Sequence, residues 1–111
     1  MKRLITVLLL WPFSALAFTS TPLTVTTSAQ CVPANPLRNS LTIDASGASG
    51  NIGYCVGTDD GAICTPTIGA AGTTTLPPGH DFWPQGSAPK NAVCLVAASG
   101  SQPVTVREGT Q

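Results

Sequence analysis

Hydrophobic and polar residues alternate along much of this chain. Leu41 and Ile43 alternate with Thr42 and Asp44, Ile52, Tyr54 and Val56 share a face against Gly53 and Cys55, and Val104 and Val106 repeat the pattern later. A period of two marks a strand with one buried face. The stretch from Asn35 to Ser46 organises the rest. Pro36 fixes its own φ and biases Asn35 toward extended backbone, so the chain enters a strand here and not a helix. Pro22, Leu23 and Val25 lie in a Thr- and Ser-rich segment, 18–30, that reads as an edge strand or as an arm packed on a neighbour.

The remaining elements follow from length and punctuation. Residues 92–98 form a nearly continuous apolar run, Ala-Val-Cys-Leu-Val-Ala-Ala, which predicts a strand buried on both faces. Ser99-Gly100-Ser101 separates it from the alternating 102–108 segment and predicts a hairpin turn. Thr58-Asp59-Asp60-Gly61 is a turn by composition, and Pro66 makes 62–71 an edge or irregular segment. Thr73 to Leu76 should be extended until Pro77-Pro78-Gly79 breaks it. With no helix signal beyond the first residues and no internal repeat, the prediction is all-β, a small antiparallel sandwich or barrel.

Those first residues belong to a different class. Met1-Lys2-Arg3 is a basic head, Leu4 to Leu10 is almost wholly apolar, and Ala15-Leu16-Ala17 is an A-x-A cleavage pattern. Together they predict a secretory signal peptide over 1–17, cleaved after Ala17. The apolar run, broken by Pro12, falls short of the ~20 residues of a membrane span. The organisation expected is therefore a leader at 1–17, the arm or edge strand at 18–30, a β-sandwich domain at 31–109 and a tail at 110–111.

Beyond the leader the chain carries Arg38, Lys90 and Arg107 against Asp44, Asp59, Asp60, Asp81 and Glu108, a net charge of −2. So few cations leave no electrostatic footprint for a nucleic-acid backbone and no basic stripe for a membrane surface. Low charge with abundant Gly, Pro, Thr and Ala fits a rigid extracellular or particle-bound β-domain. Its core is small and needs cross-links or neighbours. Cys31, Cys55, Cys64 and Cys94 all follow the leader, so export would place them where disulfides form. A zinc site is the poorer reading, because there is no C-x-x-C pair and His80 is the only histidine. Three connectivities are open to four cysteines. The favoured one closes a short loop with Cys55–Cys64 and ties an early strand to a late one with Cys31–Cys94.

Candidate chemistry is sparse. His80 beside Asp81 resembles a general-base pair, yet neighbours on a strand point to opposite faces and no nucleophile accompanies them. Asp59 and Asp60 lack the spacing of a calcium loop. No catalytic residue, cofactor or metal is expected. Phe82, Trp83 and Tyr54 are the candidate contacts for a ligand or partner, since exposed rings make large amphipathic surfaces.

Four segments in order carry a family likeness: Ala34-Asn35-Pro36-Leu37-Arg38-Asn39-Ser40-Leu41-Thr42-Ile43, Leu76-Pro77-Pro78-Gly79 with an aromatic after it, 92–100, and Val104-Thr105-Val106-Arg107-Glu108-Gly109. The set resembles small β-sandwich structural proteins and domains of bacteriophage virions, with their Asn-Pro-x-Arg opening, Leu-x-Pro-Gly turn and Ala-rich C-terminal hairpin. It covers about residues 30 to 109. The resemblance implies a non-enzymatic capsid, spike or fibre component that contacts other virion proteins or itself. It implies structural roles for Asn35 and Arg38, the Arg38 guanidinium binding strand or loop carbonyls. Asp44 and Ala45 depart from the pattern, which favours Asn there. The leader and cysteines depart further, and suit a phage that assembles at or carries a membrane, or a host-encoded surface protein that uses the same fold. The protein is expected to be exported and incorporated in the virion, touching membrane only through its leader. The alternative is a secreted or periplasmic β-sandwich binding module for glycans.

Overall fold

The computed structural model describes residues 17–79, 81–82 and 88–110. Residues 1–16 of the predicted leader, His80 and Trp83 lie outside them. The described residues form eight strands and no helix: β1 (Ala17–Val25), β2 (Gln30–Val32), β3 (Arg38–Asp44), β4 (Ile52–Val56), β5 (Thr74–Leu76), β6 (Asp81–Phe82), β7 (Val93–Ala97) and β8 (Gln102–Thr110). They make two four-stranded antiparallel sheets, ordered β1-β8-β3-β6 and β2-β7-β4-β5.

The inward faces of both sheets supply one core. Leu41 and Ile43 of β3, Val104 and Val106 of β8 and Val25 of β1 meet Ile52 and Tyr54 of β4, Val93 and Leu95 of β7 and Leu76 of β5. Each pair of names is two residues apart, so the alternation in the sequence is what aims them inward. β7 is buried along its whole length. Its second face is covered by the irregular 57–73 loop. A Cβ on Gly53, in the neighbouring strand, would meet Ile68 at 2.8 Å and Thr73 at 2.9 Å, so only glycine lets that loop lie so close.

Both disulfides lie on this covered outer side of the second sheet. Cys31 and Cys94 stand opposite each other on β2 and β7, and Cys55 of β4 faces the same Cys94 from β7's other edge. Cys31 bonds Cys94, and Cys55 bonds Cys64 in the covering loop. The first staples two strands; the second staples the loop to the sheet.

The 18–30 segment resolves into edge strand β1, paired with β8 over its whole length from Ala17↔Thr110 to Val25↔Gln102, and the short β2. Thr26 links the two sheets, its carbonyl accepting the Ala97 N–H at 2.8 Å. One expectation fails: Ser99-Gly100-Ser101 is not a hairpin. β7 is already flanked by β2 and β4, and β8 by β1 and β3, so neither has a free edge for the other. The turn, with Gly100 at φ 63°, carries the chain from one sheet to the other instead.

Candidate functional site

The Asn35-Pro36-Leu37-Arg38 segment turns tightly before β3. The Asn35 side-chain oxygen accepts the Leu37 N–H at 3.0 Å, and its carbonyl accepts the Arg38 N–H at 3.1 Å. Asn and Pro are suited to this: one closes an Asx turn, the other presets φ for the turn's second residue. The turn delivers Arg38 into the interior, where the residue is 0 % exposed. All of its guanidinium nitrogens are engaged. Nε donates to Glu108 Oε2 at 2.5 Å, Nη1 to the carbonyls of Pro89 at 2.6 Å and Asn91 at 2.9 Å, and Nη2 to that of Pro33 at 2.7 Å.

Arg38 thereby joins three stretches of chain: the 33–38 turn, the 88–92 segment and the end of β8. Lys90 Nζ donates back to the Arg38 carbonyl at 2.6 Å, and the Asn35 N–H reaches the Lys90 carbonyl at 2.8 Å. Asn91 extends the knot to a fourth stretch, its Nδ2 donating to the Gly57 carbonyl and to Asp59 Oδ1, both at 2.9 Å. A buried cation is tolerable only with its donors satisfied and a counter-charge in contact. The planar five-donor fork of arginine meets both conditions at once, and lysine could not.

An open cleft of about 610 Å³ borders this knot, with Asp59, Asp60, Lys90 and Asn91 on its walls. Those polar groups hold their own chain. Asp60 accepts from the Thr58 hydroxyl and from the Ala62 N–H, and these bonds, the Thr58 one foremost, hold its carboxyl below the usual range. Among the described residues no three His, Cys, Asp or Glu side chains gather as metal ligands.

At the opposite end Gln102 is buried at the start of β8. Its Oε1 accepts the Ser49 N–H at 2.9 Å and the Ser49 hydroxyl at 3.3 Å, while Nε2 donates to the Ser99 carbonyl at 3.0 Å. It ties the 45–50 loop to the 98–101 crossover. Nothing in the sequence marks Gln102, because a polar residue opening a strand ordinarily faces water.

Of the aromatic contact candidates, Trp83 lies outside the described residues. Tyr54 points into the core at 8 % exposure, its hydroxyl bonded to the Thr74 side chain. Burial raises the tyrosine's pKa, and the Thr74 bond opposes that in part. The correction follows from the period of β4: the face that carries Ile52 inward carries Tyr54 with it. Phe82 stands on β6, opposite Ile43 of β3. Among the described residues the exposed large apolar side chains are instead Phe18, Leu37, Val56 and Ile63. Phe18, 71 % exposed, lies over Gly109 of the adjacent strand, where a Cβ would meet its ring at 2.9 Å.

No protein-family model, curated protein or solved structure matches the chain.

Proposed function

We propose that the protein is a non-enzymatic structural component of a bacteriophage virion, a disulfide-stapled β-sandwich that is displayed on or cements the particle. The observation that carries this reading is the use to which the Asn-Pro-x-Arg motif is put. Asn35 and Arg38 spend their polar atoms on their own chain, and so do the polar groups around the neighbouring cleft. A side chain so committed serves rigidity. What remains for the outside is surface: strand edges and isolated apolar side chains, which suit contact with other virion proteins or with further copies. Two disulfides are consistent with assembly in, or passage through, an oxidising compartment.

Mass spectrometry of purified particles tests the reading. The protein should be present at many copies with its N-terminus at Phe18. Absence from particles, with the protein recovered free in the periplasm or medium, would replace it with the secreted binding module. Trp83→Ala on a glycan array would then test the sugar-binding version of that role.

A further inference from the structure

Sheets end in edges, and the edges of this molecule are unequal. Among the described residues β2 has three residues, β5 three and β6 two, whereas β1 has nine. Short length is itself a protection against unwanted pairing, as are charge and bulges. β1 has none of these: its sequence, AFTSTPLTV, carries no charged side chain, and its register against β8 is unbroken. The one safeguard is Pro22. Proline lacks an N–H and belongs where the backbone turns away from the neighbouring strand. By alternation Phe18, Ser20 and Thr24 turn their backbone groups to the free edge as well, with Ala17, Thr19, Thr21, Leu23 and Val25 facing β8.

We propose that this edge is a homodimer interface, in which β1 of one copy pairs antiparallel with β1 of a second about a two-fold axis at Thr21. Phe18 then lies opposite Thr24 of the second copy and Ser20 opposite Pro22, and the reverse. The Phe18–Thr24 pairs satisfy all their edge groups. Each Ser20–Pro22 pair keeps one bond, donated by the Ser20 N–H to the Pro22 carbonyl. This register uses the whole strand that remains after cleavage at Ala17. A second copy fits better than an unrelated strand for two reasons. The register about Thr21 sets the donorless Pro22 against Ser20 and not against another proline, and an uncharged strand meets no repulsion from its own image. The pairing also covers Phe18, whose ring shares the outer face with Thr24 opposite and Pro22 on the diagonal, a separation that aromatic side chains span. Continuation of the sheet across the axis makes one eight-stranded surface from two four-stranded ones. This deepens the contact-protein reading and rests on it.

Analytical ultracentrifugation of the protein, expressed from its full sequence and purified after export, decides the matter. A concentration-dependent dimer is expected in the micromolar range. Ser20→Pro removes the remaining central donor on both copies while sparing the β8 side. It should raise the dimer Kd at least about tenfold with an unchanged circular dichroism spectrum. Should the proline variant fail to fold, Ser20→Lys serves, placing like charges on both strands beside the axis. A wild-type protein monomeric throughout that range, or a dimer indifferent to the folded variant, overturns the proposal. A monomer found abundantly on particles would sink the dimer and leave the virion role standing. A β1-dependent dimer absent from particles would do the reverse.

Discussion

Arg38 and Gln102 are buried polar side chains at opposite ends of the first sheet, and they hold those ends by different chemistry. Arg38 is charged. It needs a carboxylate and two carbonyls from distant stretches and a third carbonyl from its own turn, and it supplies a donor to each. Gln102 is neutral and holds two loops with one amide, using it as acceptor and as donor. The charged knot gains reach and geometric definition, but every partner becomes a liability if the cation leaves. The amide joins less and leaves less unsatisfied when lost.

The largest break should therefore come from Arg38→Met. It strands Glu108 and three carbonyls together, and a loss of about 3–5 kcal/mol in urea unfolding is expected. Arg38→Lys should recover only part of it, since an ammonium cannot span the same fork. Next comes the staple on the Arg38 side. Opening Cys55–Cys64 with a double Cys→Ser change should cost about 2–3 kcal/mol. Amide exchange should accelerate through 57–73 and leave the 45–50 loop unmoved. Gln102→Leu should cost about 1–3 kcal/mol, with faster exchange confined to residues 45–50 and 98–101.

Smaller effects sharpen the contrast through pH. Asp60, held low by Thr58 and Ala62, contributes stability that is present above the ordinary carboxylate pKa and lost as pH falls through its lowered value. Asp60→Asn should flatten the acid limb slightly, while Gln102, which does not titrate, should show no such change. Tyr54 runs the other way. Its raised pKa keeps the phenol protonated in the fold, so stability is full below the ordinary tyrosine value near 10 and falls as pH rises through the folded one. Thermal melts of Tyr54→Phe in alkaline buffer should lose less stability per pH unit than wild type.

Part of this architecture is legible in the residues themselves. The alternation at 41–44, 52–54 and 102–108 names the core because a pleated strand leaves no choice of face, while Val56, at the end of β4, runs past the core into solvent. Pro22 names an edge because it cannot donate. The favoured cysteine pairing, Cys31 with Cys94 and Cys55 with Cys64, is the pairing in the structure. What stays illegible is nonlocal. A three-residue turn rich in Gly and Ser serves a hairpin or a crossover equally well, and the choice depends on which strands already flank each edge. The Arg38 partners Pro33, Pro89 and Asn91 act through carbonyls that every residue has, so composition cannot single them out. Glu108 is visible as a charge but not as a counter-ion. Tyr54 is drawn toward the surface by its ring chemistry and kept inside by its register.

The last strand in the chain, β8, sits between β1 and β3. A chain made from its N-terminus completes the second sheet once β7 emerges, while the first still lacks β8. β1 and β3 have no neighbour between them until β8 arrives, because the strand that separates them is the last of the eight to be made. Folding of this half therefore waits for β8, and removal of 102–110 would leave β1 without a partner strand and β3 paired only with β6.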